Sequence, residues 1–314
     1  MTNDRRHAPN AAPDAAPNAA PNAAPNAAPH AAASPDRSAR TARPRAWRTL
    51  ARGLADLLLP RACAVCHEML SPSVHGVVCG TCWSRMEPFP EPSCGRCGYP
   101  RQPLPGVRLT DHEAGTGDGF ADCRWCLKLP ATVRAVRSAA RLDAGTASAL
   151  VHALKYSGWT AVADGMGARM ARLSFPRDVE SERVALIPIP LGAARLRERG
   201  FNQSLLLAQA VARRWDIPVW DDVLGRQRET DTQTRLTPSE RASNVSGAFS
   251  TTRGANVRLR GAHLVLVDDV ITTAATLNAA AAALSAGGAR ILSYLTFGRA
   301  PDSGDRSSHV SDPD

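Results

Sequence analysis

Two adjacent carboxylates, Asp268 and Asp269, are followed closely by three hydroxyl side chains, Thr272, Thr273 and Thr276. The apolar run Leu264 to Val267 precedes them, and an Ala-rich run from Leu277 to Ala286 follows, ending at Gly287-Gly288. That order reads as a buried strand, a loop and a helix. Threonine hydroxyls and the amides of a helix N-terminus favour a phosphate. Carboxylates at the strand's carboxyl end can accept hydrogen bonds from a ribose diol or hold hydrated Mg2+. Residues 268–276 therefore have the chemistry of a cradle for a phosphorylated sugar. Neither GxxxxGK[ST] nor GxGxxG occurs, which argues against Walker and Rossmann sites. The competing reading is an ordinary strand-to-helix turn with a Thr as N-cap.

The cysteines form a second constellation. All eight lie in Cys-x-x-Cys pairs: Cys63/Cys66, Cys79/Cys82, Cys94/Cys97 and Cys123/Cys126. Two such turns complete one tetrahedral four-thiolate site, so four turns imply two structural Zn2+ ions. With no secretory signal, a disulfide framework is disfavoured, and an iron-sulfur cluster is the remaining alternative. The spacing suits two sequential ribbons with a long loop in the second, although interleaved pairing satisfies it too. His67 and His75 lie near the ligands but are surplus to eight thiolates.

These residues must be positioned by regular elements. From Thr132 onward strand and helix patterns alternate, as in an α/β domain with a mainly parallel sheet. Strands are expected at Val133 to Leu142, Val184 to Ile189, Leu264 to Val267 and Ile291 to Phe297. Helices are expected at Gly145 to Lys155, Ala161 to Leu173, Asn202 to Trp215 and Thr276 to Ala286. Leu264 to Phe297 then forms a βαβ unit, whose ligand crevice lies at the carboxyl ends of the strands.

Two further segments carry polar groups toward such a crevice. One helix delivers Lys155 into the turn Tyr156-Ser157-Gly158. After Ile187-Pro188-Ile189-Pro190 come Arg195, Arg197 and Arg199, read either as a polyanion clamp or as a solvated turn before a helix capped by Asn202. Residues 226 to 249, with Arg226, Thr230, Gln233, Arg235, Arg241 and Asn244, read as a lid or a surface insertion.

At 314 residues the chain can hold a full domain and a small module. Its net charge of +9 is almost all Arg, since Lys128 and Lys155 are the only lysines, so the charge says little about nucleic acid. No apolar run approaches the ~20 residues of a membrane span, and a cytoplasmic location is expected. Residues 1–45, built on Ala-Ala-Pro-Asn, read as a disordered tail, with a basic arm for nucleic acid as the alternative. The expected division continues with a helix and double zinc-ribbon module at 46–130, an α/β domain at 131–300 and a disordered tail at 301–314. Trp47, Leu50, Leu54, Leu57 and Leu58 have the spacing of the leading helix.

The four Cys-x-x-Cys pairs, Leu154-Lys155-Tyr156-Ser157-Gly158, Arg195 to Gln203 (RLRERGFNQ), Arg226 to Asn244 and Asp268 to Thr276 together resemble the ComF family (ComFC or GntX-like proteins). The resemblance covers roughly residues 55 to 300. It implies a double zinc ribbon joined to a type I phosphoribosyltransferase domain that binds 5-phosphoribosyl 1-pyrophosphate with Mg2+. By that resemblance Thr272, Thr273, Ala274, Ala275 and Thr276 hold the 5-phosphate, while Asp268 and Asp269 address the ribose hydroxyls. Lys155, Arg195 and Arg199 take the pyrophosphate, and Asp268, Asp269, Lys155 and Arg199 form the catalytic set. The family is linked to natural competence, which brings in single-stranded DNA and the uptake machinery as partners. A rival reading makes the chain a zinc-dependent single-stranded DNA adaptor with a relic transferase fold. Trp83, Phe89, Tyr99 and Trp125 would then stack on bases, or else serve as the ribbons' own core.

One departure is visible. The family loop usually has Gly where this chain has Ala274. A negative φ at Ala274 leaves the loop unstrained, whereas a positive φ adds about 1 kcal/mol of left-handed strain.

The cysteine reading makes a direct prediction. Metal analysis should return two zinc ions per chain, and chelation should abolish amide protection across residues 60 to 130; unchanged protection after chelation would remove zinc from the account.

Overall fold

The computed structural model describes residues 61–71, 73–74, 76–89, 91–100, 123–142, 145–227 and 247–301. The expectations for the N-terminal tail, the Trp47 to Leu58 helix, His75, most of the 226 to 249 stretch and residues 302–314 fall outside them. All described residues belong to one unit, Gly53–Asp314.

A short helix, α1 (Gly80–Ser84), and a 3-10 turn at Cys126–Lys128 belong to the cysteine turns. Then come β1 (Val133–Arg141), α2 (Thr146–Tyr156), α3 (Val162–Met170), α4 (Arg177–Glu182) and β2 (Arg183–Pro188). Next are α5 (Ala193–Arg199), α6 (Gln203–Trp215), β3 (Leu224–Arg226), β4 (Phe249–Thr251) and α7 (Asn256–Leu259). The last described elements are β5 (His263–Ile271), α8 (Ala275–Ala286) and β6 (Ile291–Arg299).

The main sheet has strand order β1-β6-β5-β2, and each neighbouring pair is parallel. A parallel sheet needs cover on both faces, and alternation along β5 supplies two apolar sides. Leu264 and Leu266 join one core cluster with Leu277, Ala280 and Leu284 of α8. Val265 and Val267 join the other with Leu150 of α2, Met166 of α3 and Leu207 of α6.

The four-cysteine ribbons are divided between these clusters. Cys63 and Cys82 lie in the α2, α3 and α6 cluster, whereas Cys94, Cys97 and Cys126 lie in the α8 cluster. Each ribbon thus forms part of the cover over one face of the sheet. Arg96 and Arg137 fasten the second ribbon to the start of β1: Arg96 Nη2 donates to the Pro130 carbonyl at 2.8 Å, and Arg137 Nη2 donates to that of Gly95 at 2.9 Å.

Three local expectations are corrected. Strand β5 extends past Val267 to Ile271, because β6 pairs with it as far as Ile271 opposite Arg299; both aspartates therefore lie inside the strand. The Arg195 to Arg199 segment is the helix α5, a run of good helix formers ended by Gly200 at φ 80°. The antiparallel pair β3 and β4 borders the residues read as a lid and lacks any apolar alternation long enough to announce it. The N-cap of α6 is as expected, with Asn202 Oδ1 accepting from the Ser204 amide at 3.0 Å.

Helices α3 and α6 cross at Gly167, where an added Cβ would come within 2.4 Å of the Ala210 Cβ. Gly167→Val should lower stability by about 1–3 kcal/mol through overpacking, measured by urea denaturation; an unchanged midpoint would show that the helices can separate there without cost.

Candidate functional site

The carboxyl end of β5 opens into a cavity of ≈ 180 Å³. Its floor is Asp268 to Leu277, and Lys155, Arg195, Gln203, Ser204 and Arg226 close on it from four other elements. Asp269 is buried, and the Lys155 ammonium lies 2.6 Å from its Oδ2. Gln203 Nε2 donates to Asp269 Oδ1 at 3.3 Å. Asp268 Oδ1 accepts from Ser204 Oγ at 2.8 Å and from the Asp269 amide at 2.9 Å.

The Asp268 carboxyl titrates differently from a free side chain. Burial, and then the neighbouring Asp269 charge, push the Asp268 carboxyl up to about 7. Burial would by itself lower Lys155, but the charge and hydrogen bond of Asp269 outweigh it and the net direction is up. Lys155 therefore stays cationic against Asp269, while Asp268 is left to be stabilised by whatever enters the cavity.

The loop Thr272 to Thr276 passes directly into α8. Ala274 sits at φ 64°, ψ 2°, as the N-cap of α8, and its methyl side chain supplies no capping hydrogen bond. The Thr-capped turn is thus not what forms. Thr273 Oγ1 instead accepts from the Ala275 amide at 3.5 Å. The positive φ is the strained alternative, and Ala274 carries it while buried at 3% exposure.

The arginines do not converge as a three-pronged clamp. Arg195 lines the cavity and Arg197 points to solvent. Arg199 stands one step back, donating from Nη1 to Gln203 Oε1 at 2.6 Å and lying 5.5 Å from the Tyr156 ring centroid. Its link to Asp269 runs through Gln203, so it is placed as a positioning residue. Gln203 and Ser204 are the polar groups whose contacts sequence reasoning missed. Their signal was two buried-type positions filled by polar side chains in the first turn of α6, beside the Asn202 cap.

The cysteines assemble sequentially: Cys63, Cys66, Cys79 and Cys82 in one cluster, Cys94, Cys97, Cys123 and Cys126 in the other, with the ligand atoms of each within 4.8 Å of one another. Tetrahedral Zn–S bonds of about 2.3 Å require S···S separations of about 3.8 Å. The Sγ pairs Cys63–Cys82 and Cys66–Cys79 are both 3.8 Å apart, and Cys94–Cys126 and Cys97–Cys123 are 3.6 and 3.5 Å apart. The Cys79 amide donates to Cys63 Sγ and the Cys82 amide to Cys79 Sγ. None of the eight is in a disulfide. The donor set, spacing and amide bonds fit structural zinc.

Comparison with known proteins gives the same two parts. A double zinc ribbon domain matches residues 54–127 and a phosphoribosyl transferase domain matches residues 202–312. DNA utilization protein YhgH of Escherichia coli K12 is 30% identical over 229 residues, covering 70% of this chain and 89% of that protein. The chain belongs to the ComF family. Competence protein F of Haemophilus influenzae is 42% identical over 94 residues, 30% of this chain and 41% of that protein. Competence protein ComFC of Bacillus subtilis is 33% identical over 111 residues, 35% of this chain and 42% of that protein. In this ComF-family chain the matched transferase segment begins at Asn202, so Lys155 and Arg195 enter the cavity from outside it.

Among the described residues, no helix is long and apolar enough to cross a membrane. Three of the ribbon aromatics make packing contacts. Trp125 is 1% exposed and stacks on Tyr99, and Trp83 lies under the Arg169 guanidinium.

Asp268 should make stability depend on pH. Unfolded, it ionises near 3.8 and, folded, near 7, so the folded state holds the proton more tightly and loses stability as pH rises through that interval. Asp268→Asn keeps an acceptor for Ser204 and is expected to be more stable than the parent at pH 8, with the gap closing toward pH 4. Chemical denaturation across pH measures this, and a pH-independent gap would mean that Asp268 ionises normally.

Proposed function

We propose that the cavity binds 5-phosphoribosyl 1-pyrophosphate, or a closely related phosphorylated ribose, together with Mg2+. The observation that carries this is the meeting of Asp268, Asp269 and the Thr272 to Thr276 loop with Lys155, Arg195 and Arg226 around one cavity. The loop hydroxyls and the α8 amides suit the 5-phosphate, and Asp268 and Asp269 suit the ribose hydroxyls. The cations Lys155 and Arg195 suit a pyrophosphate, with Arg199 orienting Gln203.

The reaction supported by this arrangement is displacement of pyrophosphate at the anomeric carbon by a nucleophilic atom of an acceptor substrate, which forms the new bond as the one to pyrophosphate breaks. Positive charge grows on the sugar as the bond to the leaving group lengthens, and the fixed carboxylates stabilise it electrostatically. Lys155 and Arg195 hold the departing anion, and no covalent nucleophile is needed. When bound, Mg2+ supplies further neutralisation of the pyrophosphate, with Asp268 and Asp269 as the side chains able to hold its hydration shell. The names of the relatives, a DNA utilization protein and competence proteins, support a role in competence or DNA use, which this reading assigns to the cytoplasm. The rival reading, a zinc-dependent single-stranded DNA adaptor, draws on the same names.

Isothermal titration with 5-phosphoribosyl 1-pyrophosphate and Mg2+ separates the two. Binding is expected, with affinity rising as pH passes through the Asp268 range. The Asp268→Asn plus Asp269→Asn variant should lose at least about tenfold, given that hydrogen bonds to charged groups contribute about 1.5–3 kcal/mol. No heat with the parent chain, alongside salt-dependent single-stranded DNA binding, would overturn the transferase reading.

A further inference from the structure

The second four-cysteine site reaches both ends of the candidate phosphate loop, through Arg299 and through Asn278. Ile271, the residue that enters the loop, is paired with Arg299 on β6, and the Ala300 amide donates to the Ile271 carbonyl at 2.9 Å. Arg299 is 1% exposed, and its Nη1 donates to the Cys97 carbonyl at 2.6 Å. Its Nε and Nη2 have no hydrogen-bond partner among the described residues. A buried guanidinium without a carboxylate needs a counter-charge, and a zinc tetrathiolate, with four negative ligands on a dication, supplies one.

At the loop's other end, Asn278 lies in the first turns of α8. Its Nδ2 donates to the Lys128 carbonyl at 2.7 Å, at the end of the 3-10 turn that begins with the ligand Cys126. Its Oδ1 accepts from Tyr294 Oη at 3.0 Å, and its backbone amide donates to the Ala274 carbonyl at 2.8 Å. Between the two ends, Ile271, Ala274 and Leu277 pack in the same apolar cluster as Cys94, Cys97 and Cys126. Cys63 and Cys82 of the first site belong to the other cluster.

We propose that the second four-cysteine site, acting through Arg299 and Asn278, is a positioning element that holds the loop Thr272 to Thr276 in its ligand-ready shape. The brace rests on the reading of this loop as the phosphate cradle, and it accounts for a backbone that keeps a non-Gly residue at positive φ. Strain at one residue persists where the surroundings over-determine it, and here packing and hydrogen bonds from the ribbon flank Ala274 on both sides. Zinc at the second site then contributes to ligand affinity without entering the cavity, whereas zinc at the first site does not act on this loop.

Hydrogen exchange of the full chain, without any ligand, tests the brace. Cys66→Ser disables the first site at an exposed thiol and Cys123→Ser disables the second, while Asn278→Ala leaves both clusters intact. Exchange over residues 271–279 should accelerate roughly fivefold or more, the size of one net hydrogen bond, in Cys123→Ser and Asn278→Ala but not in Cys66→Ser. The β2 peptide should remain protected in all three. If Cys123→Ser does not fold, Asn278→Ala alone decides. Unchanged exchange in Asn278→Ala, or equal acceleration in Cys66→Ser, would overturn the brace. Titration with 5-phosphoribosyl 1-pyrophosphate and Mg2+ on the same proteins should show affinity falling in step with loop exchange. A parent chain that binds nothing would instead remove the ligand reading, while the exchange result would still decide the brace.

Discussion

Two carboxylates side by side at the end of a buried strand cannot both be ionised cheaply, and the contact between Lys155 and Asp269 is what answers this. Removing one partner of a buried pair leaves an uncompensated charge, a loss of about 3–5 kcal/mol. The pair therefore demands that the end of α2 stay against the end of β5. Once it does, Asp269 is neutralised, and the unmet electrostatic demand is concentrated on Asp268. Gln203 and Ser204 at the start of α6 each donate one hydrogen bond to a carboxylate, so the helix cap at Asn202 is coupled to the state of the carboxylates.

The same end of the sheet explains the role of the cysteine turns. A four-stranded parallel sheet with small residues along β1 and α8 has two apolar faces and few large side chains to cover them. The ribbons supply part of that cover, one to each face, and bring their own cross-links. Metal-supplied folding free energy is thus spent inside the sheet's two cores. Arg299 shows how close the integration is, since its guanidinium lies 4.2 Å from the Trp125 ring centroid while its backbone is still part of β6.

Much of the site was legible in the residues. Asp268, Asp269 and the threonines declared a strand end and a helix start, and four Cys-x-x-Cys pairs declared two metal sites, because both chemistries rest on close sequence neighbours. Lys155 was also identifiable, as a lone cation at the end of an apolar helix, and Arg195 as one of three arginines after an apolar strand. The strand limits, the helix at Arg195 to Arg199, and the partners of Gln203 and Ser204 were not. Their outcome depends on pairing with β6, on the left-handed Gly200, and on which side of α6 meets β5, which are all contacts between residues distant in the chain.

By itself, then, the sequence determined the kinds of chemistry available: thiolates for metal, carboxylates and hydroxyls for a sugar phosphate, cations for a polyanion. Each is set by side-chain type and local spacing, which survive in any arrangement of the elements. Only the tertiary structure decided that the cysteines pair sequentially, that Ala274 takes a positive φ, that Arg199 acts through Gln203, and that the second ribbon abuts the loop. Those outcomes are chosen by burial and by the register of β5 with β6, where the free energy of one arrangement depends on groups as far apart as Cys97 and Arg299.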